Sequence, residues 1–314
     1  CLTDVGRKVY SRMKLLYEAE AIRTCLEQTR EIMRLPQRLD LKDVSDPQVF
    51  MDRVEDGDAS LKPRQLRKLG GILAAARDVK AFLEGLDPEK APRLRALAAH
   101  LDPVDALLTG LETSVSFEGE IHDAASERLK ETRLRTRAIK DEILLIVDSL
   151  SRVNEVAFAL HNPHPIVRHN KLLLAVKSGK EAAVPGNVIS KGKGGSILYI
   201  EAETSVAKHA ELAELQKEER AEENRVLAEF TELFRTNWAV IKRTADTLGW
   251  LDFTQAKALF AIEHGFWVPS VSDDRTLELH DAFFPLLNHS DDRDKRNQKA
   301  DAEEKRTVAF GLSL

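Results

Sequence analysis

The sequence predicts a mainly α-helical protein: a lobe of helices, and two long helices that run antiparallel and carry a small antiparallel β-sheet at their tip. Three patterns predict it. Apolar residues recur at helical spacing from the first residues onward, an uninterrupted seam follows in mid-chain, and a short period-two stretch then separates two helical segments of matched length.

Residues 1–119 read as short and medium helices. Val5, Val9, Met13 and Leu16 share one face, and Ala21, Ile22, Cys25, Leu26, Ile32, Met33 and Leu35 form a second stripe ended by Pro36. Asp-Pro pairs at 46–47, 87–88 and 102–103, with Asp-Gly at 56–57 and Lys-Pro at 62–63, punctuate the remainder and suit helix starts. From about Glu120 a helix of roughly 40 residues, about 60 Å long, is expected. Its seam is Ile139, Ile143, Ile146, Leu150, Val153, Ala157 and Leu160, and Asn162-Pro-His-Pro165 ends it.

The texture then changes. Lys171–Lys177, Ala183–Ser190 and Ser196–Glu201 are β-branched or alternating runs. Ser178-Gly-Lys180 and Lys191-Gly-Lys-Gly-Gly195 lie between them, which predicts a small sheet with two hairpin turns. A second long helix is expected from about Glu203 to Thr247, with Val226, Phe230, Leu233, Asn237 and Val240 as its seam. Seven of the ten residues 216–225 are charged, and that section is expected to be solvated. Leu251–Ala261 reads as a separate amphipathic helix returning to the lobe. Val271–Leu287 reads as a strand with a turn, 288–306 as a flexible charged insertion, and Val308–Leu314 as a last strand.

The composition restricts the function classes. With 314 residues, 43% hydrophobic, 32% charged and two cysteines, the chain has room for two or three domains and no disulfide framework. No run of 18 apolar residues is present to span a membrane. A formal charge of −5 makes no global case for nucleic acid, so any basic surface must be local. The chain opens on Cys1 inside what already reads as structured sequence, and is expected to be part of something longer.

Such a local surface exists at the predicted tip. Between Ile166 and Tyr199 stand Arg168, Lys171, Lys177, Lys180, Lys191 and Lys193 against one acid, Glu181. Clustered cations without acids suit a phosphate backbone, and with Tyr199 the only aromatic in the segment, duplex backbone contact fits better than base stacking. The first long helix carries Arg128, Lys130, Arg133, Arg135, Arg137 and Lys140, whose acidic partners are expected on the second helix. The Lys191–Ser196 loop lacks the spacing of a phosphate-binding P-loop and leads into a strand, so it reads as a hairpin. His161, His164 and His169 read as a polar loop, Cys25 as core, and Glu120 and Asp123 as residues suited to a helix start. No catalytic residue and no metal site is expected.

Four strings, in this order and spacing, carry a family resemblance. They are Gly119-Glu-Ile-His-Asp-Ala-Ala-Ser-Glu-Arg-Leu129, Leu198-Tyr-Ile-Glu201, Leu251-Asp-Phe-Thr-Gln-Ala-Lys-Ala258 and Phe284-Pro-Leu-Leu287. Over nearly its whole length the chain resembles the non-catalytic part of MutS-type proteins, in the branch of the bacterial second MutS paralogue linked to recombination control. Ala202 and Phe284 depart from the proline and histidine usual in the family.

The resemblance implies a helical core/lever over 1–119, an outgoing coiled-coil arm over 120–165 and a β clamp tip over 166–202. It further implies a returning arm over 203–247, a core helix over 248–270, and the start of an ATPase domain over 271–314. The implied function is the DNA-binding core and clamp of a mismatch-repair or recombination-control ATPase that embraces duplex or branched DNA. Arg168, Lys171, Lys177, Lys180, Lys191 and Lys193 would be the DNA contacts. This stretch would not itself be an enzyme. ATP and Mg would act in the parent protein, which would form a homodimer through the ATPase and work in the bacterial cytoplasm at the nucleoid. The alternative is a coiled-coil module whose tip binds a ribosomal or protein partner.

Overall fold

The computed structural model describes residues 1–42, 44–56, 60–272, 278–282 and 310–313. The chain is mainly helical with a small four-stranded antiparallel sheet, and it divides into two compact units. The first comprises 1–47, 71–103 and 239–314; the second comprises 48–70 and 104–238. The expected stretch 1–119 therefore contributes to both. The insertion expected over 288–306 and the string at Phe284 lie outside the described residues.

The first unit contains α1 (Asp4–Ser11), α2 (Ala19–Met33), most of α4 (Pro63–Glu84), α5 (Pro92–Ala98) and nearly all of α10 (Trp238–His264). Helix α1 starts at Thr3, whose hydroxyl accepts the Gly6 N–H at 2.9 Å. It stops at Ser11, so Met13 and Leu16 do not extend the face begun by Val5 and Val9; they lie exposed beyond it. Helix α5 has no capping side chain of its own. Buried Glu31 of α2 supplies the cap, accepting the N–H groups of Arg93 at 3.1 Å and Leu94 at 2.7 Å.

Helix α10 corrects the expected boundary near residue 247. It runs without interruption from Trp238 through Gly249 to His264, and absorbs the separate helix expected at Leu251–Ala261. Gly249 is needed for close approach and not as a breaker: a Cβ there would lie 3.1 Å from the Val5 backbone. Three residues on, the buried Asp252 carboxylate accepts the N–H groups of Leu2 and Thr3 and the Thr3 hydroxyl at 2.7–3.0 Å. A Cβ on Gly6 would fall 2.1 Å from that carboxylate. One turn later Gln255 bonds both the N–H and the C=O of Leu39, at 2.7 and 3.2 Å. Asp252 and Gln255 thus tie the chain's opening residues and the segment after α2 to one face of α10. The last described strands, β5 (Glu278–Ala282) and β6 (Phe310–Ser313), pair antiparallel.

The second unit contains α3 (Gln48–Glu55), the first turns of α4, α6 (Asp105–Ser114), α7 (Glu127–Ser151), α8 (Asn154–Ala159), β1 (Ile166–Arg168), β2 (Lys171–Lys177), β3 (Gly186–Lys191), β4 (Ile197–Ala202) and α9 (Glu203–Thr236). Helices α7 and α9 run antiparallel: Ser126 bonds Glu222, Arg133 bonds Glu219, and Lys208 meets Glu142.

Both helices are shorter than expected. Helix α7 ends at Ser151, and Val153 takes an extended backbone (φ −68°, ψ 128°) before α8. Helix α9 ends at Thr236, and α10 follows after Asn237. The buried seams are also offset from a strict heptad. On α7 they are Leu129, Thr132, Thr136, Ile139, Ile143, Val147 and Ser151, and on α9 Val226, Phe230 and Phe234, with Leu233 exposed. Up to Ile143 α7 keeps the alternation of three and four, but a straight helix of 3.6 residues per turn drifts off a 3.5-residue repeat by about 20° each heptad, and steps of four replace it after Ile143 and from Val226 on α9. The break at Val153 resets the face again: Val156, Ala159 and Leu160 are buried, while Val153 is exposed.

The charged section of α9 is solvated on one face, as expected, and on the other Glu219, Glu222 and Glu223 turn inward to form a packing node. Arg133 forks to Glu219 and Glu223 at 2.7 and 2.6 Å, and reaches Asp123 at 2.8 Å. Burial opposes the Arg133 charge, and these three carboxylates outweigh it and raise its pKa. Glu222, with a side chain only 4% exposed, accepts from Arg225 and the Ser126 hydroxyl, which holds its pKa down at about 2.

Removing the Asp252 carboxylate leaves buried donors without partners. Asp252→Ala should lower the unfolding free energy of the first unit by about 2–3 kcal/mol. The urea midpoint measures this, with native circular dichroism at zero urea; an unchanged midpoint would show that Asp252 does not anchor α1.

Candidate nucleic-acid interface

The sheet has the order β1-β2-β4-β3, all antiparallel. Only one of the two expected hairpin turns joins neighbouring strands: β3 turns into β4 through Lys193–Gly195, where Gly194 and Gly195 take positive φ. Ser178-Gly-Lys180 does not close a hairpin, because β3 pairs with β4 and not with β2. The chain crosses instead through a short 3-10 turn, Glu181–Ala183, and buries Val184 against the inner face. An additional strand, β1, makes the other hairpin, with His169 and Asn170 both left-handed at φ 49° and 59°.

Alternation gives the sheet two faces. Leu174, Val176, Leu198 and Ile200 pack on α7, α8 and α9, while Leu173, Ala175 and Tyr199 form a cluster on the opposite face.

The six candidate cations fall into two groups. Lys177 pairs in register with Ile197 and Lys191 with Leu198, so their backbones flank β4 at one end of the sheet, about 10 Å apart at the usual strand spacing, with their side chains starting from opposite faces. Lys180 follows β2 at that end, and the backbone of Lys193 lies in the adjoining glycine turn. At the same end Phe158 of α8 is 72% exposed, with the Lys177 and Lys180 ammonium groups 5.6 and 5.7 Å from its ring centroid. Lys177 also donates to the Phe158 carbonyl at 3.1 Å. Among the described residues none of Lys177, Lys180 and Lys191 forms an ion pair.

The second group is differently occupied. The Arg168 guanidinium lies 3.9 Å from the Tyr199 ring centroid. Lys171 is bound at 2.7 Å to Glu201, whose side chain is only 2% exposed. The local excess of positive charge is thus smaller than a count over 166–199 suggests, since Glu201 stands just outside that window. The sequence reading also missed Phe158, which reaches the sheet from a helix. Its one signal was a position between the buried Val156 and Ala159.

Glu201 belongs to a buried triad with His209 of α9. His209 Nδ1 lies 2.9 Å from Glu201 Oε1, and Nε2 accepts the Leu172 N–H at 3.1 Å. Accepting at Nε2 requires neutral imidazole, and burial lowers the His209 pKa below 6.5 despite the attraction of Glu201. Among the described residues no group of three or more His, Cys, Asp or Glu could hold a metal ion, and no helix is long and apolar enough to cross a membrane.

The His209 shift has a definite sign. Between the lowered folded pKa and 6.5 the unfolded chain binds the extra proton, so stability should rise with pH through that window and level off above it. His209→Gln, which keeps an acceptor for the Leu172 N–H, should flatten the dependence. Urea titrations between about pH 5 and 8 decide it; an unchanged slope in the variant would assign the effect to other groups.

No family model matches the chain. Proteins named Endonuclease MutS2 do align with it. That of Carboxydothermus hydrogenoformans is 30% identical over 250 residues, covering 79% of this chain and 32% of its own length. That of Clostridium kluyveri is 28% identical over 294 residues, 91% of this chain and 36% of its own. That of an Anaeromyxobacter species is 28% identical over 274 residues, with shares of 86% and 34%. The chain spans about a third of the length of these curated relatives. Through most of its own length, including both helices that carry the sheet, it is related to the MutS2 proteins.

Proposed function

We propose that the chain is the nucleic-acid-holding part of a MutS-like protein, with α7 and α9 as arms and the β1–β4 sheet as a clamp tip against duplex or branched DNA. One observation carries this reading. Lys177, Lys180 and Lys191 gather at one end of the sheet without carboxylate partners among the described residues, and Lys193 follows in the adjoining turn. The cations of α7, by contrast, include Arg133, Arg135 and Arg137, which are matched by Glu219, Glu223, Glu211 and Asp123. Charge left unmatched at one end of the sheet, beside a helix whose own arginines meet carboxylates, suits a polyanion. Phe158 lies against two of the ammonium groups, each such contact worth about 0.5–1 kcal/mol at an exposed site and neutralising neither charge.

In this reading residues 1–119 and 248–270 act as core and lever. ATP with Mg, bound in an ATPase domain that dimerises, would bias the arms between open and closed positions. The setting would be the bacterial cytoplasm at the nucleoid. The relatives' name speaks of an endonuclease; for this surface we propose holding nucleic acid and not cutting it. Exposed Val167 and Val188 on the same sheet favour a second reading, in which the tip docks on a protein or ribosomal partner.

Fluorescence anisotropy with duplex and four-way-junction DNA over about 50–200 mM salt separates the two readings. Affinity should fall steeply with salt, and each of Lys177→Gln, Lys191→Gln and Lys193→Gln should reduce the log–log slope by about 0.9. The double variant Lys171→Gln, Glu201→Gln, which removes an internally neutralised pair, should leave the slope unchanged. Absent DNA binding at low salt, with association only to ribosomes or a protein, would overturn the DNA reading in favour of the second.

A further inference from the structure

A cavity of about 490 Å³ lies within the first unit, among α1, the segment after it, α2 and α10. Its apolar wall is Val5, Val9, Met13, Leu16, Trp250 and Phe253, and Cys25 of α2 also lines it. This size falls within the roughly 300–1,000 Å³ of pockets that enclose small organic ligands.

The charges around this wall are strongly one-sided. Five cations line the cavity, with Asp246 as the one acid. Lys8 is paired with Asp46 at 2.8 Å and Lys242 with Asp246 at 3.2 Å. Arg12, Lys14 and Lys257 have no carboxylate partner among the described residues. Lys257 is the telling member. Its ammonium sits 4.8 Å from the Phe253 ring centroid and 5.4 Å from that of Trp250, and burial pushes its pKa down. A half-buried ammonium set against aromatic rings and the Cys25 thiol, with no carboxylate partner among the described residues, retains a desolvation cost that cation–π contact offsets in part. An anion entering the cavity would recover much of the rest.

We propose that this cavity binds a small amphipathic anion: an aliphatic or aromatic body against Val5, Val9, Trp250 and Phe253, and one carboxylate, sulfonate or phosphate head against Lys257, with Arg12 and Lys14 at the rim. The wall argues against a nucleotide. Asp246, the lining carboxylate able to accept from sugar hydroxyls or base edges, is already engaged by Lys242. The site is separate from the proposed nucleic-acid surface and does not depend on that reading.

The test uses the whole chain with anilinonaphthalene sulfonate as fluorescent probe and dodecanoate as competitor. One probe should bind per chain and be displaced by dodecanoate at least tenfold more effectively than by dodecanol. Lys257→Met, which keeps the aliphatic stem and removes the charge, should abolish that preference. Val9→Phe should weaken both ligands by filling the cavity while retaining all the cations. In a Cys1→Ser background, saturating dodecanoate should slow alkylation of Cys25 by N-ethylmaleimide at least tenfold, which locates the occupant. Non-saturable probe binding, equal displacement by dodecanol, displacement by ATP at equal concentration, or unchanged Cys25 alkylation would each overturn the proposal.

Discussion

The second unit depends on Arg133. An apolar seam between two long antiparallel helices is tolerant of slippage, because steps of three and four residues recur along it and a shifted pairing buries similar area. A guanidinium only 19% exposed is not tolerant, since its fork must meet carboxylates placed to receive it. Arg133 meets Glu219 and Glu223, one turn apart on α9, and Asp123 in the 3-10 turn before α7. Any slip of α9 by a turn would separate at least one of these pairs and leave charge partly buried without a partner.

That register reaches the sheet because the connection is direct. Strand β4 ends at Ala202 and α9 begins at Glu203, so no loop lies between them to absorb a shift. Pairing β4 with β2 and β3 then sets where Lys177 and Lys191 lie, and the His209–Glu201–Lys171 triad fastens the first turns of α9 to the start of β2. The position of the free cations therefore follows from a helix register that they do not themselves influence.

Much of this was legible in the sequence. The long helical stretches, the sheet between them, the glycine hairpin at Lys193–Gly195 and the acidic partners of the α7 arginines all follow from local spacing and composition. What was hidden has a common cause in long-range contact. Ile146 and Val147 are equally apolar, and the drift of a real helix decides which is buried. Gly249 resembles a helix breaker until Val5 occupies the space its missing side chain leaves. Asp252 and Gln255 look like ordinary polar positions of an amphipathic helix, although their partners lie more than 200 residues away in sequence. Glu201 escaped a charge count because sheet pairing and α9, not sequence proximity, bring it to Lys171 and His209.

The cations of this chain thus serve two physically distinct ends. Arg133 and Lys171 face carboxylates of their own chain, and those contacts fix helix register and strand position. A second set faces aromatic rings: Lys177 and Lys180 share Phe158, Arg168 covers Tyr199, Arg67 lies over Phe117, and Lys257 lies over Trp250 and Phe253. An aromatic face orients a cation without neutralising it, so the field of the charge still extends outward. A matched cation has little left to offer a ligand, and an aromatic-backed one keeps nearly all of its charge in a defined direction. On that physical ground, the sheet end and the α1–α10 cavity are places among the described residues where an anion would find charge already oriented to receive it.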